Sequence, residues 1–159
     1  MTATASAVAE SSLEDSTGLD LEGLSELLGF HLRLAQVAMY RDFAAAMNAL
    51  DLTQQQWATL QLIGGNPAVS QVDLAATLGT DPATMMSMVD RLEQRDFLVR
   101  KRSKADRRRQ ELSLTPEGEA IVAKAKRIIA KHERKFKDRF TPEELKNLLE
   151  ALTRIHGQT

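Results

Sequence analysis

Seven of the ten residues from Arg100 to Arg109 are basic: Arg100, Lys101, Arg102, Lys104, Arg107, Arg108 and Arg109, with Asp106 the only acid among them. Guanidinium and ammonium groups at this density suit one kind of chemistry, the charge-assisted binding of phosphate oxygens. The net charge of the whole chain is only −1, so the remainder is acidic; Glu10, Glu14, Asp15, Asp20, Glu22 and Glu26 all precede the first basic residue, Arg33. A focused positive patch on an acidic body is the arrangement that phosphate binding at one face requires. The same run standing alone would equally describe a solvated linker, so its neighbours decide its meaning.

Those neighbours are structured. Phe97 to Arg102 reads as a strand, Ser103-Lys104-Ala105-Asp106 as a turn, and Arg108, Gln110, Leu112 and Leu114 as the alternating face of a returning strand. Just upstream, Ser70 and Asp73 form a capping box, Leu74 and Leu78 supply apolar positions, and Gly79 falls where a left-handed C-terminal cap belongs. Thr80 or Asp81 caps the next helix, Pro82 suits its first turn, and Met85, Met88, Val89 and Leu92 form its inward stripe to about Arg95. Two short helices around a tight glycine turn make a helix-turn-helix, and the hairpin follows it.

Helices flank this unit on both sides. Leu24, Leu27, Leu28, His31, Leu34, Ala35, Ala38 and Arg41 recur at three- and four-residue spacing, predicting one long amphipathic helix to about Leu50. Thr53 with Gln56 caps a short helix carrying Trp57, Leu60 and Ile63, stopped by Gly64-Gly65-Asn66-Pro67. Thr115-Pro116-Glu117 opens a long helix with Ile121, Val122, Ala125, Ile128, Ile129, His132 and Phe136 on one side. Thr141-Pro142-Glu143-Glu144 opens the last, with Leu145, Leu148, Leu149, Leu152 and Ile155. The expected fold is mainly α: a winged helix-turn-helix with a small β-hairpin wing between N- and C-terminal dimerisation helices. The expected divisions are a flexible tail over 1–18, a dimerisation helix over 19–50, the DNA-binding unit over 51–114 and further dimerisation helices over 115–159. The first and last helices are too apolar on one face to stand alone, and a second copy of the chain is their natural cover.

Composition narrows the function classes. A hydrophobic share of 43% over 159 residues builds a core without staples, and the absence of cysteine excludes disulfides, thiolate metal sites and a cysteine switch. No apolar run approaches the ~20 residues that span a bilayer, and Met1 to Ser12 has no secretory signal pattern. A cytoplasmic address follows as the expectation. His31, His132 and His156 lack metal-ligand spacing, and no nucleophile elbow or glycine-rich phosphate loop is present. Neither an enzyme nor a cofactor is expected. Met85, Met86 and Met88 read as adaptable core at helical spacing. A helical protein-interaction module is the rival of another class, and it leaves the arginine-rich hairpin unexplained.

Taken in order, several strings resemble the MarR family of transcriptional regulators. The strongest is Asp106-Arg107-Arg108 followed by Leu112-Ser113-Leu114-Thr115-Pro116-Glu117-Gly118; Leu52 to Trp57, Ser70 to Gly79 and Arg91 to Arg100 support it. The resemblance covers roughly residues 20 to 157. It implies an obligate homodimer on an inverted-repeat operator in double-stranded DNA, with residues 81–95 as the recognition helix in the major groove. It also implies that Arg108 enters the flanking minor groove, oriented by Asp106, while Arg107, Arg109 and Lys104 meet phosphates. Ala83, Thr84, Met86, Ser87 and Arg91 face outward as candidate base or phosphate contacts, and Ser70 and Gln71 at the start of the preceding helix join that set. Met86 and Ser87 stand where many relatives carry longer hydrogen-bonding side chains, which shifts weight to DNA shape. Asp96 replaces a frequent glycine, which implies a slightly strained turn.

In relatives, a cavity between the first helix, the Trp57 helix and the helix after the wing binds aromatic acids or related anions. The candidate effector residues carried over are His31, Arg33, Arg41 and Trp57, and the effector class is an aromatic carboxylate or its coenzyme A thioester. The plainer alternatives are that His31 bonds a partner backbone, that Arg41 pairs with Asp42 or a glutamate, and that Trp57 is core. Repression, with release by the effector, is the expected mode. An activator or architectural DNA-binding protein has the same sequence signature, because the sign of regulation depends on operator position.

Overall fold

The computed structural model describes residues 19, 21, 23–102 and 110–157. The chain divides into two units, residues 1–41 and 42–159.

In the first unit Gly23 takes a left-handed φ of 82°, a 3-10 turn follows over Leu24–Glu26, and Leu27 is extended at ψ 119°. Only then does α1 (Leu28–Met47) begin. The continuous helix expected from the leucine spacing is therefore interrupted, because the Gly23 and Leu27 backbones leave the helical region. Leu24, Leu27 and Leu28 are exposed within this unit.

The second unit is built around buried side chains from nearly every element. Phe43 and Met47 at the end of α1 enter its core; beyond Met47 the helix tightens into a 3-10 turn (Asn48–Leu50), which Asp51 closes at a left-handed φ of 47°. Next come α2 (Gln54–Gly65), α3 (Gln71–Leu78) and α4 (Pro82–Gln94). Full capping boxes open α2 at Thr53/Gln56 and α3 at Ser70/Asp73, satisfying backbone donors that the first turn leaves orphaned. Gly79 closes α3 at φ 59°, and Asp81 caps α4 through a 2.9 Å bond from the Thr84 amide.

An antiparallel hairpin follows, β1 (Leu98–Arg102) with β2 (Gln110–Leu114), in the register Leu98↔Leu114, Arg100↔Leu112 and Arg102↔Gln110. Phe97 stays outside the strand because its amide donates to the Leu92 carbonyl at 3.0 Å and closes α4. Asp96 sits at φ 56°, the strained position expected where a glycine is absent. Beside the hairpin, the Leu112 amide donates to the Val69 carbonyl at 2.9 Å, a one-bond remnant of a third strand.

The long α5 (Pro116–Lys137) buries Val122, Ala125 and His132. By contrast α6 (Pro142–His156) buries nothing: Leu148, Leu149 and Ile155 are exposed, Leu149 by 52%. Among the described residues no helix is long and apolar enough to cross a membrane.

Candidate nucleic-acid interface

The periodicity of α4 decides which side chains it presents. Met85, Val89 and Leu92 are fully buried and Met88 nearly so, while Ala83, Thr84, Met86, Ser87 and Arg91 are exposed. Below the helix the buried Thr59 hydroxyl donates to Met88 Sδ at 3.2 Å, fixing the height of α4 over α2. The Ser87 hydroxyl donates to the Ala83 carbonyl at 3.1 Å, so Ser87 offers an incoming partner mainly its lone pairs. The Asp81 carboxyl, holding the first turn, lies below its ordinary 3.8 because Thr84 hydrogen-bonds to it.

Thr53, Gln55 and Gln56 face Thr84, Ser87 and Arg91 across an open cleft of about 480 Å³. Gln56 Oε1 accepts from the Thr53 amide at 2.9 Å and is committed to the cap, whereas Gln55 is exposed. Gln55 was not among the sequence candidates; the only signal for it was the glutamine run at the start of α2. Ser70 is 7% exposed, its hydroxyl donating to Asp73 Oδ2 at 2.8 Å, so its side chain serves the cap of α3; Gln71 beside it is half-buried.

Two arginines near this face turn inward. Arg95 donates to the carbonyls of Asp51 (2.6 Å) and Leu50 (3.2 Å) and lies over the Phe97 ring. Arg100 donates to the carboxylates of both Asp90 and Glu93 on α4 and is 19% exposed. It is the first member of the basic run, and it braces the hairpin. The wing residues Lys104, Asp106, Arg107, Arg108 and Arg109 lie outside the described residues.

The candidate effector residues fall in both units. In the first, His31 Nε2 stands 2.6 Å from the Ser25 carbonyl, while Arg33 and Arg41 are exposed. The backbone partner anticipated for His31 is thus in its own chain. In the second, Trp57 is half-buried; its Nε1, like Gln61 Oε1 one turn on, is buried without a partner. Asp42 does not serve Arg41: its carboxylate is held by His132 at 2.8 Å and by Lys135, both from α5. His132 is packed edge-on against Phe43 and Phe136. Beside this cluster Ala45, Ala46 and Ile128 wall a cleft of about 610 Å³, with Lys131 and Lys135 at its rim.

The sequence profile of the MarR family matches residues 52–109, from the approach to α2 to just short of β2. A protein of Thauera aromatica assigned as transcriptional regulator of the hcr operon is 33% identical over 132 residues, covering 82% of this chain and 80% of its own. The chain belongs to the MarR family. Among solved structures, the repressor CouR bound to a 23-mer DNA duplex superposes with a TM-score of 0.81 at 37% identity, over 86% of this chain and 97% of that one. CouR bound to p-coumaroyl-CoA gives 0.79 at 36% identity, over 86% and 96%. This MarR-family chain is a winged helix-turn-helix transcriptional regulator, a DNA-binding protein and not an enzyme. Its helix-turn-helix is formed by α3 and α4, and the hairpin β1–β2 follows it as in a winged helix.

Proposed function

We infer that this regulator acts as a homodimeric repressor, binding an inverted-repeat operator and released by an anionic aromatic effector, either a carboxylate or its coenzyme A thioester. The observation that carries the reading is the likeness to CouR, solved both on a DNA duplex and with p-coumaroyl-CoA. The exposed row Thr84, Ser87 and Arg91 supports major-groove contact from α4, with Ala83 and Met86 beside it. Arg108 takes the minor-groove role, with Asp106 orienting it, and Lys104, Arg107 and Arg109 the phosphate role. The exposed leucines of α6 support dimerisation, since an apolar face this open needs a cover. For the effector, His31, Arg33, Arg41 and Trp57 are the proposed contacts, and the lysine-rimmed cleft beside His132 supports an anionic ligand.

The test is an electrophoretic shift with DNA from the chain's own promoter region, titrated with p-coumaroyl-CoA, p-coumarate and benzoate. A retarded complex that one of these dissolves supports the reading. A complex indifferent to all of them, or promoter DNA bound no better than unrelated duplex, overturns it.

A further inference from the structure

The exposed surface of α4 carries two rows of side chains with opposite character. At ~100° per residue, Thr84, Ser87 and Arg91 form one row, and Met86 with the half-buried Asp90 and Glu93 forms a second on the hairpin side. The second row puts two carboxylates on a helix that approaches a polyanion. Left bare, they would repel phosphate and cancel much of what the wing's cations supply.

They are not bare. Arg100, from the middle of β1, sends one guanidinium nitrogen to Glu93 and the other to Asp90, and its own amide donates to Glu93 Oε1 at 3.3 Å. The fork of arginine matches two separate carboxylates, which a lysine point charge does not. Arg100 is also the least available of the basic residues described in the run, since Lys101 and Arg102 are both exposed.

We propose that Arg100 is a positioning residue for DNA binding: it masks the two acids of the recognition helix and locks the wing arm to that helix, without itself contacting phosphate. The inference rests on the DNA-binding role of α4 and goes beyond it. Its signature is conditional: Arg100 matters only while Asp90 and Glu93 are charged.

The experiment measures binding of the full chain to a mixed-sequence 30-base-pair duplex by fluorescence anisotropy across a salt series. Arg100→Gln should bind roughly tenfold more weakly than wild type, with the slope of log K against log salt unchanged. Asp90→Asn/Glu93→Gln and the triple variant Asp90→Asn/Glu93→Gln/Arg100→Gln should agree within about threefold, because without the acids there is nothing left to mask. This last pair decides the matter even where Arg100→Gln alone folds poorly, since neither variant leaves a carboxylate unmatched. A triple variant about tenfold weaker than the double, with a slope shallower by about 1.8 for the dimer, would mean that Arg100 touches phosphate directly, and would overturn the proposal. Wild-type chain that binds no duplex at low salt would instead overturn the DNA-binding role itself, a separate result.

Discussion

His132 Nδ1 stands 2.8 Å from Asp42 Oδ2, and Lys135 takes the other oxygen of the same carboxylate, so α5 is tied to the end of α1 by one acid. Hydrogen bonds from Lys135 first and His132 second hold the Asp42 carboxyl below its ordinary 3.8. A lowered folded-state value means that the stabilisation is fully present above 3.8 and is lost as pH falls through the lower folded value. Asp42→Asn should therefore lower the Tm at pH 7, with a difference from wild type that shrinks below pH 3.8. Melting curves across that range check this; a gap that stays constant into strong acid contradicts it.

Gly118, in the first turn of α5, has no room for a side chain. A Cβ there would stand 1.9 Å from the Phe97 carbonyl oxygen, which already accepts from the Thr115 amide at 3.2 Å. Neither backbone yields without breaking the junction between wing and helix. Gly118→Ala should cost about 3 kcal/mol or more in urea unfolding. A loss near the ~0.5 kcal/mol typical of surface substitutions would show that the junction is softer than this geometry.

The open face of α6 predicts the assembly. Leu149→Lys/Leu152→Lys should give monomers or aggregates that no longer bind DNA, because each half-site alone lacks the paired contacts. The intact operator should have half-site centres about one helical turn, roughly 10 base pairs, apart. Sedimentation separates the outcomes; wild-type chain that is monomeric at micromolar concentration yet holds its operator tightly would refute the dimer.

Within the wing, two kinds of arginine should behave differently. Arg108→Ala ought to lose most affinity on operators with A·T-rich flanks, where a narrow minor groove attracts a guanidinium. Arg107→Ala and Lys104→Ala should weaken all duplexes alike and flatten the salt slope by about 1.8 per dimer. Titrations on A·T- and G·C-flanked operators distinguish them, and equal losses from Arg108→Ala on both would remove its minor-groove role.

On the first helix, Arg33→Ala and Arg41→Ala should leave DNA affinity within about twofold of wild type while blunting release by the effector, since a coupling of ~1–3 kcal/mol is enough to drive release. His31→Ala should do the same and in addition loosen the turn at Ser25. Undiminished effector sensitivity in all three would exclude them from the ligand site.

Local signals carried most of the fold. Each capping box, the left-handed Gly79 and the inward stripe of α4 are short-range consequences of residue type, and each stands where its spacing places it. What spacing does not encode is the partner of a long side chain. Arg100 reads as one more phosphate ligand until the register of β1 sets it against Asp90 and Glu93. Likewise Arg41 and Asp42 are neighbours in sequence, yet Asp42 points across to residues about ninety positions away. The break at Leu27 was hidden for a different reason, because leucines at helical spacing look alike whether or not the backbone between them is continuous.

At the level of Arg100 and Leu112 both amides of the hairpin point outward, and both are already occupied. The Glu93 carboxylate accepts from one side and the Val69 carbonyl from the other. A two-stranded ribbon ordinarily offers two sticky edges to any extended segment that passes. Here each edge is plugged at its midpoint, so another molecule's strand meets an interruption before a ladder can propagate. The chain thus keeps a basic, extended arm from recruiting copies of itself, and the acid that blocks one edge is one that Arg100 neutralises.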